Sequence, residues 1–363
     1  MIEQQHLDEI YMKRALALAK KGVGCTHPNP RVGAVVVNHG IIVGEGWHQR
    51  AGEPHAEVNA LNDAGAKARG GSIYVTLEPC AGHGKTPPCS SSILRAGIVR
   101  AVFASADPNP AMAGGGALLQ TQGVEVLGGV LQAKADALNI PFFHFVRTGR
   151  AYVISKAAIS LDGKLATRTH DSQWITGAAA RKHAHAIRAE SDAIIIGAST
   201  LKEDNPSLTV RDATLKGKAP LRVVLATQTP KFFATYKLLD EAAPSRMYVH
   251  VCNEYTQAWR DAGMEVIEIN SLSAMLKHLV ADGCLQVMVE GGGKLHASFL
   301  ESELADEILL YQAPLLIGGT ASVNLWHGTG VSRMDEVVCV EDVQRRKLGD
   351  DMMIRGRLVY PKV

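Results

Sequence analysis

Aromatic residues make up only 5% of this 363-residue chain, and its charges nearly cancel to a net +2. The composition therefore shows neither a stacking surface for bases nor a basic block that would grip a nucleic-acid backbone. Long hydrophobic runs are missing too. No stretch approaches the roughly 18 to 20 apolar residues that a membrane helix needs. The opening "MIEQQHLDEIYMKRALALAKKG" carries acidic groups within a helical apolar period and makes a poor signal peptide. Cysteines are few and scattered, at 25, 80, 89, 252, 284 and 339, and form no disulfide framework. These absences point to a reduced, cytoplasmic enzyme with a small-molecule substrate and no nucleic-acid or membrane partner. A homo-oligomer is expected. The length is too great for one core and suits two domains.

Along the first half, the positions of Leu7, Ile10, Tyr11, Arg14, Ala15 and Leu18 predict a helix over 7–22 with one apolar face, ended by Gly22. "VGAVVV" (32–37) and "IIVGEGW" (41–47) read as strands of a hairpin around "NHG". A helix over about 55–68, a strand at 72–77, a helix near 87–96, a strand at 99–105, another helix and a strand at 124–127 follow. That order predicts an α/β/α sandwich with a mixed sheet. A polar joint is expected around 145–152, dividing the chain into domains 1–147 and 150–363. The second half repeats a strand-then-loop rhythm at 151–164, 191–200, 221–227, 246–251, 264–269 and 285–295, with late strands in 305–319 and 351–360. It too reads as α/β.

The chemistry concentrates in "PHAEV" (54–58) and "EPCAGHGKTPPC" (78–89). A catalytic zinc takes three protein ligands and leaves one position for water. His55, Cys80 and Cys89 offer one nitrogen and two sulfurs. Glu57 is two residues from His55, and on a helix those side chains diverge, so its better task is proton transfer. Bound zinc lowers the pKa of its water from about 15.7 towards 7, and the carboxylate hands the proton to a departing amine. A bland alternative is a closed structural site, with His83 as fourth ligand. Helix, strand end and helix start nevertheless occur in the order that zinc deaminases require.

On these residues the first half resembles the cytidine-deaminase superfamily, with eight residues, "AGHGKTPP", where its Pro-Cys-x-x-Cys signature has two. That insertion, "HPNPRVGAVVV" (27–37) and "GWHQRAGEPHAE" (46–57) are similar to the bifunctional riboflavin-biosynthesis deaminase/reductase family. In the second half "SLDGK", "DSQWIT", "EDNPSLTVR" and "VEGGGKL" resemble that family's reductase domain, which has a dihydrofolate-reductase-like fold. The resemblance spans essentially the whole chain.

It implies two steps on a pyrimidine nucleotide. A 2,5-diamino-6-ribosylamino-pyrimidinone 5′-phosphate loses its ring 2-amino group as ammonia, and NADPH then reduces the ribosyl group to ribityl. It also implies that His55, Cys80 and Cys89 bind one zinc, that Glu57 shuttles protons, and that Asn29, His48 and Lys85 hold sugar and phosphate. In the reductase it places Ser172, Arg188, Leu208, Arg211 and Glu290 at the substrate, the two arginines having the fork that suits a phosphate. Ala158, Trp174, Thr200, Asp204 and Thr227 would meet NADPH, with Gly292, Gly293, Lys294, Leu295, His296, Ala297 and Ser298. That last segment follows a strand and opens a helix, so its amides could cradle an anion.

Two other readings differ in kind. A polynucleotide deaminase would need a basic groove or stacking aromatics. A non-catalytic zinc protein would need four protein ligands.

Overall fold

The computed structural model describes residues 2–82 and 87–361, with Ile2 by its backbone alone. The chain divides into two units, Met1–Gly149 and Arg150–Val363. Among the described residues no helix is long and apolar enough to cross a membrane.

The first unit runs α1 (Ile2–Ala19), β1 (Gly33–Asn38), β2 (Ile41–Trp47), α2 (Ala56–Ala64), β3 (Ser72–Leu77), α3 (Cys89–Arg95), β4 (Arg100–Ser105), α4 (Gly115–Thr121), β5 (Glu125–Leu127), α5 (Gln132–Leu138) and α6 (Ile140–Thr148). Its sheet has the order β2-β1-β3-β4-β5. β1 pairs antiparallel with β2 and β3, and β3, β4 and β5 run parallel. Strand alternation sends side chains to two buried faces. Val36, Ile73 and Val75 pack with Ala60 of α2, Ile93 of α3 and Leu119 of α4. Val35, Val37, Tyr74 and Val102 pack with Met12 and Ala15 of α1 and Ala135 of α5. Helices thus cover both faces, as the alternating pattern requires.

The glycines of "GEGW" set how closely α2 approaches. A methyl at Gly44 would lie 2.3 Å from the Ala60 carbonyl oxygen, and one at Gly46 would lie 2.4 Å from the Ala60 nitrogen. Only glycine lets β2 and α2 touch backbone to backbone. That contact carries His55, the residue before the first helical position, to the end of the sheet.

Two expectations need correction here. Leu7 and Ile10 point outward, 37% and 43% exposed, whereas Asp8 is buried. The Asp8 carboxylate is held by Arg100 at 2.8 and 2.9 Å and by the Tyr74 hydroxyl at 2.9 Å, so the helix is turned by a partner in β4. The joint expected around 145–152 does hold the boundary between the units, after Gly149, but its first half is helix, because α6 buries Phe142 and runs to Thr148 before Gly149 closes it at φ 70°.

The second unit contains β6 (Tyr152–Ile159), β7 (Lys164–Ala166), α7 (Ala178–Glu190), β8 (Ala193–Gly197), α8 (Ala198–Asp204), β9 (Leu221–Gln228), β10 (Ser245–Val251), α9 (Thr256–Asp261), β11 (Glu265–Glu268), α10 (Leu272–Ala281), β12 (Gln286–Val289), α11 (Gly293–Glu301), β13 (Glu307–Gln312), β14 (Val323–Asn324), β15 (Cys339–Leu348) and β16 (Asp351–Val359). Nine strands form one sheet, β11-β10-β9-β8-β12-β6-β13-β16-β15, and β7 pairs with β14. The strands from β11 to β13 are parallel, and β16 and β15 close the edge antiparallel. Two cores, one on each face, meet near-continuous apolar runs such as "AIIIG". Open parallel sheets bind ligands beyond the carboxyl ends of their strands, and that is where β6, β8, β9 and β12 deliver the candidate residues.

Candidate functional site

Three chain segments converge in the first unit. His55 precedes α2, Cys80 lies three residues beyond the end of β3, and Cys89 opens α3. Among the described residues, these three form a group that could hold a metal ion, their donor atoms all within 4.8 Å of one another. His55 Nδ1 lies 3.2 Å from Cys89 Sγ and 3.8 Å from Cys80 Sγ. Zinc bonds of about 2.0 Å to nitrogen and 2.3 Å to sulfur place tetrahedral donors about 3.5 Å apart, so the set fits zinc. The Cys89 amide donates to Cys80 Sγ at 3.3 Å, which fixes that sulfur from behind. Within the cysteine pair, a hydrogen bond between the sulfurs pushes Cys80 down and Cys89 up, so one thiolate is already favoured.

Glu57 sits in the first turn of α2 and is only 4% exposed. Burial pushes its carboxyl up to about 7, outweighing the pull of His55. That describes a carboxyl able to take and give a proton near neutrality. His48 and Asn29 join the same cluster. Their side chains meet at 3.0 Å, and the His48 ring stands edge-on to His55 at 5.6 Å between centroids. His48 Nδ1 lies 3.2 Å from the Pro54 carbonyl, which can only accept, so Nδ1 carries the hydrogen and Nε2 receives the Asn29 amide. Burial lowers the His48 pKa and keeps that neutral form. Lys85 and His83 lie outside the described residues.

In the second unit one buried carboxylate anchors Arg188. Glu290, just after β12, receives Arg188 of α7 through both oxygens, with Nε to Oε1 at 2.8 Å and Nη2 to Oε2. Burial opposes its ionisation, but Arg188 and Lys156 outweigh that and hold Glu290 down at about 2. The expected phosphate fork of Arg188 is thus engaged by Glu290, and its Nη1 donates to the Thr209 carbonyl at 3.3 Å. Arg211 has an exposed side chain, and its amide lies 3.2 Å from His185 Nδ1. Leu208 is buried nearby in the chain, at φ 51°.

Around the strand ends, Ala158 lies in β6, Thr200 and Asp204 in α8, and Thr227 near the exposed end of β9. Ser172 is half-buried in the loop before α7. Trp174 is 66% exposed, with the Arg181 guanidinium 4.6 Å from its ring, so it is no core aromatic. Gly292 stands before α11, where Gly293, Leu295, His296 and Ala297 are buried and Lys294 and Ser298 exposed. His296 Nδ1 reaches the Ser155 hydroxyl at 2.8 Å.

One residue of this centre escaped the sequence reading. Lys156 places Nζ 4.0 Å from Glu290 Oε1 and stands over the Tyr311 ring at 5.9 Å. The signal was present in "YVISKAAI", a charge within an otherwise apolar central strand.

Hydrolytic removal of an amine suits the first centre, and hydride transfer beyond a parallel sheet suits the second. The class is therefore a zinc-dependent deaminase joined in one chain to a reductase. Residues 5–105 match the cytidine and deoxycytidylate deaminase zinc-binding region, and residues 151–354 match the RibD C-terminal domain. The riboflavin biosynthesis protein RibD of Bacillus amyloliquefaciens is 43% identical over 357 residues, covering 96% of this chain and 95% of that protein. The protein of the same name from Aquifex aeolicus is 42% identical, covering 96% of this chain and 98% of its own. Acinetobacter baumannii RibD has a solved structure at TM-score 0.89 and 35% identity, covering 98% of this chain and 100% of that one. This chain belongs to the RibD family of bifunctional riboflavin-biosynthesis enzymes, with a zinc-binding deaminase domain and a reductase domain that uses NADPH.

Proposed function

We propose that the two units, divided between Thr148 and Ala151, carry out consecutive steps on one free pyrimidine nucleotide. A Thermotoga maritima structure described as a diaminohydroxyphosphoribosylaminopyrimidine deaminase/5-amino-6-(5-phosphoribosylamino)uracil reductase is 34% identical at TM-score 0.86, and its description supports that substrate. The first step is hydrolysis of the ring 2-amino group of the diaminopyrimidinone nucleotide, releasing ammonia. His55, Cys80 and Cys89 would hold the zinc, which would supply the Lewis acidity that makes water a nucleophile near neutral pH. Glu57 takes the proton of that water and returns it to the departing nitrogen. Asn29 and His48 hold the ribose side, and Lys85 the phosphate.

In the second step bound NADPH would supply the hydride that reduces the opened ribosyl carbon. Ser172, Leu208 and Arg211 seat the nucleotide, with exposed Arg211 as the phosphate cation and Arg188 fixing Glu290 against the sugar. Ala158, Trp174, Thr200, Asp204, Thr227 and the segment Gly292, Gly293, Lys294, Leu295, His296, Ala297 and Ser298 at the start of α11 would seat NADPH, the helix start offering amides suited to an anion. The enzyme is read as cytoplasmic and homo-oligomeric, with no nucleic-acid or membrane partner.

The observation that carries this reading is the His55–Cys80–Cys89 donor set with buried Glu57 beside it. Metal analysis should find one zinc per chain. Strong chelation should abolish ammonia release while leaving reduction of the deaminated intermediate intact. Equal loss of both activities with the fold preserved would overturn the division of labour.

A further inference from the structure

Glu78 stands two residues before Cys80 and is not one of the three donors. Its carboxylate is occupied by a single neighbouring segment. Oε2 accepts from the Asp107 amide at 3.3 Å and Oε1 from the Gly116 amide at 3.0 Å. Those amides are the two ends of the stretch 107–116, so one side chain ties down both. The middle is tied by backbone: the Ala81 amide donates to the Met112 carbonyl at 2.9 Å. A methyl on Gly115 would lie 1.7 Å from the Pro79 carbonyl oxygen, and one on Gly82 would lie 2.0 Å from that of Ala111. The stretch is thus laid in backbone contact along the loop after β3 that presents Cys80, close enough for the Asp107 charge to act on His55 and Cys80.

We infer that Glu78 is a positioning residue for deamination, holding 107–116 as a fixed wall beside the His55–Cys80–Cys89 pocket. The inference rests on reading that cluster as the deamination centre. A carboxylate accepting two amides makes strong, charge-assisted bonds, and losing them frees both ends of the wall at once. Displacing a positioning group by about 1 Å can cost about 100-fold in rate.

The test compares Glu78→Gln, Glu78→Asp and Gly115→Ala in the full-length, zinc-loaded chain. Zinc content is measured, with kcat and KM for ammonia release and the rate of reduction of added deaminated intermediate. Glu78→Gln should keep parental zinc and parental reduction while deamination kcat/KM falls about 10- to 100-fold with a raised KM. Glu78→Asp should recover part of that loss, and Gly115→Ala should raise KM with Glu78 intact. Loss of zinc sites alone would lower kcat and leave KM unchanged, so an unchanged KM in Glu78→Gln overturns the inference. Should Glu78→Gln prove insoluble, an unchanged KM in both other variants overturns it instead. A parent chain that releases no ammonia would refute the deamination reading itself.

Discussion

Replacing Arg188 by methionine keeps most of the side-chain bulk and removes the charge that Glu290 depends on. In the parent, Glu290 receives two hydrogen bonds from the guanidinium and is held at about 2 against an ordinary 4.5. That gap corresponds to about 3 kcal/mol of stability. Its side chain is only 10% exposed, so solvent screens little of it. Removing one partner of a buried pair costs about 3 to 5 kcal/mol. The lower figure is expected here, because Lys156 stays 4.0 Å from the carboxylate. A carboxyl with a depressed folded-state pKa contributes stability that is present above its unfolded value and lost as pH falls through the folded one. The Glu290 part of the gap between parent and Arg188→Met should therefore be full at pH 7 and shrink as pH falls from about 4.5 towards 2, leaving only what the lost bond to the Thr209 carbonyl contributes. Denaturant unfolding at several pH values measures it. A Trp47→Phe background leaves tryptophan emission reporting the second unit alone, since the other three tryptophans are 174, 259 and 326. A gap that stays constant from pH 7 to pH 2 would refute the ion pair as its source.

Glu57→Gln should keep its zinc and lose about 10²- to 10⁴-fold in deamination, leaving reduction intact; loss of the metal would instead make Glu57 a ligand or a structural support. Fragments 1–149 and 150–363 should each fold and keep one activity, since each unit has its own core; insolubility cured only by co-expression would disprove that. Mixing a Glu57→Gln chain with an Arg211→Ala chain should restore the two-step conversion after a lag that shortens with enzyme concentration. A mixture that releases ammonia but never oxidises NADPH, while Glu57→Gln still reduces added intermediate, would show obligatory transfer within one chain.

The central strands of both units were legible because alternation and apolar runs report burial locally. The candidate metal donors were legible because three residues of two metal-binding types, one histidine and two cysteines, crowd into a short span. Other features depended on distant partners. Asp8 faces inward only because Arg100 waits 92 positions away, and that turns Leu7 and Ile10 to solvent. β15, "CVEDVQRRKL", is exposed along nearly its whole length and gives no alternating signal, yet it pairs with β16 on both sides of a bulge between Glu341 and Gln344. The Arg188 fork looked free in the sequence because Glu290 lies 102 residues further on. Lys156 stands as a charge in a central strand, and a buried charge in that setting requires a partner, which here lies at Glu290, far along the chain.

The two glutamates show why residue type alone could not assign these roles. Glu57 and Glu290 are both withdrawn from water, and burial by itself raises the pKa of each. Around Glu57 the nearest opposite charge is His55, so burial wins and the carboxyl reaches about 7 before the charge of any metal is counted. Around Glu290 a guanidinium and an ammonium converge, so charge wins and the carboxyl stays near 2. A group titrating near neutrality can receive and return a proton within one turnover. A group ionised across that range can orient a cation and accept hydrogen bonds, and it exchanges no proton on its own. On the proposed reading, one residue type thus serves proton transfer in the first unit and fixed charge in the second, and the difference lies in the neighbours that each fold brings up.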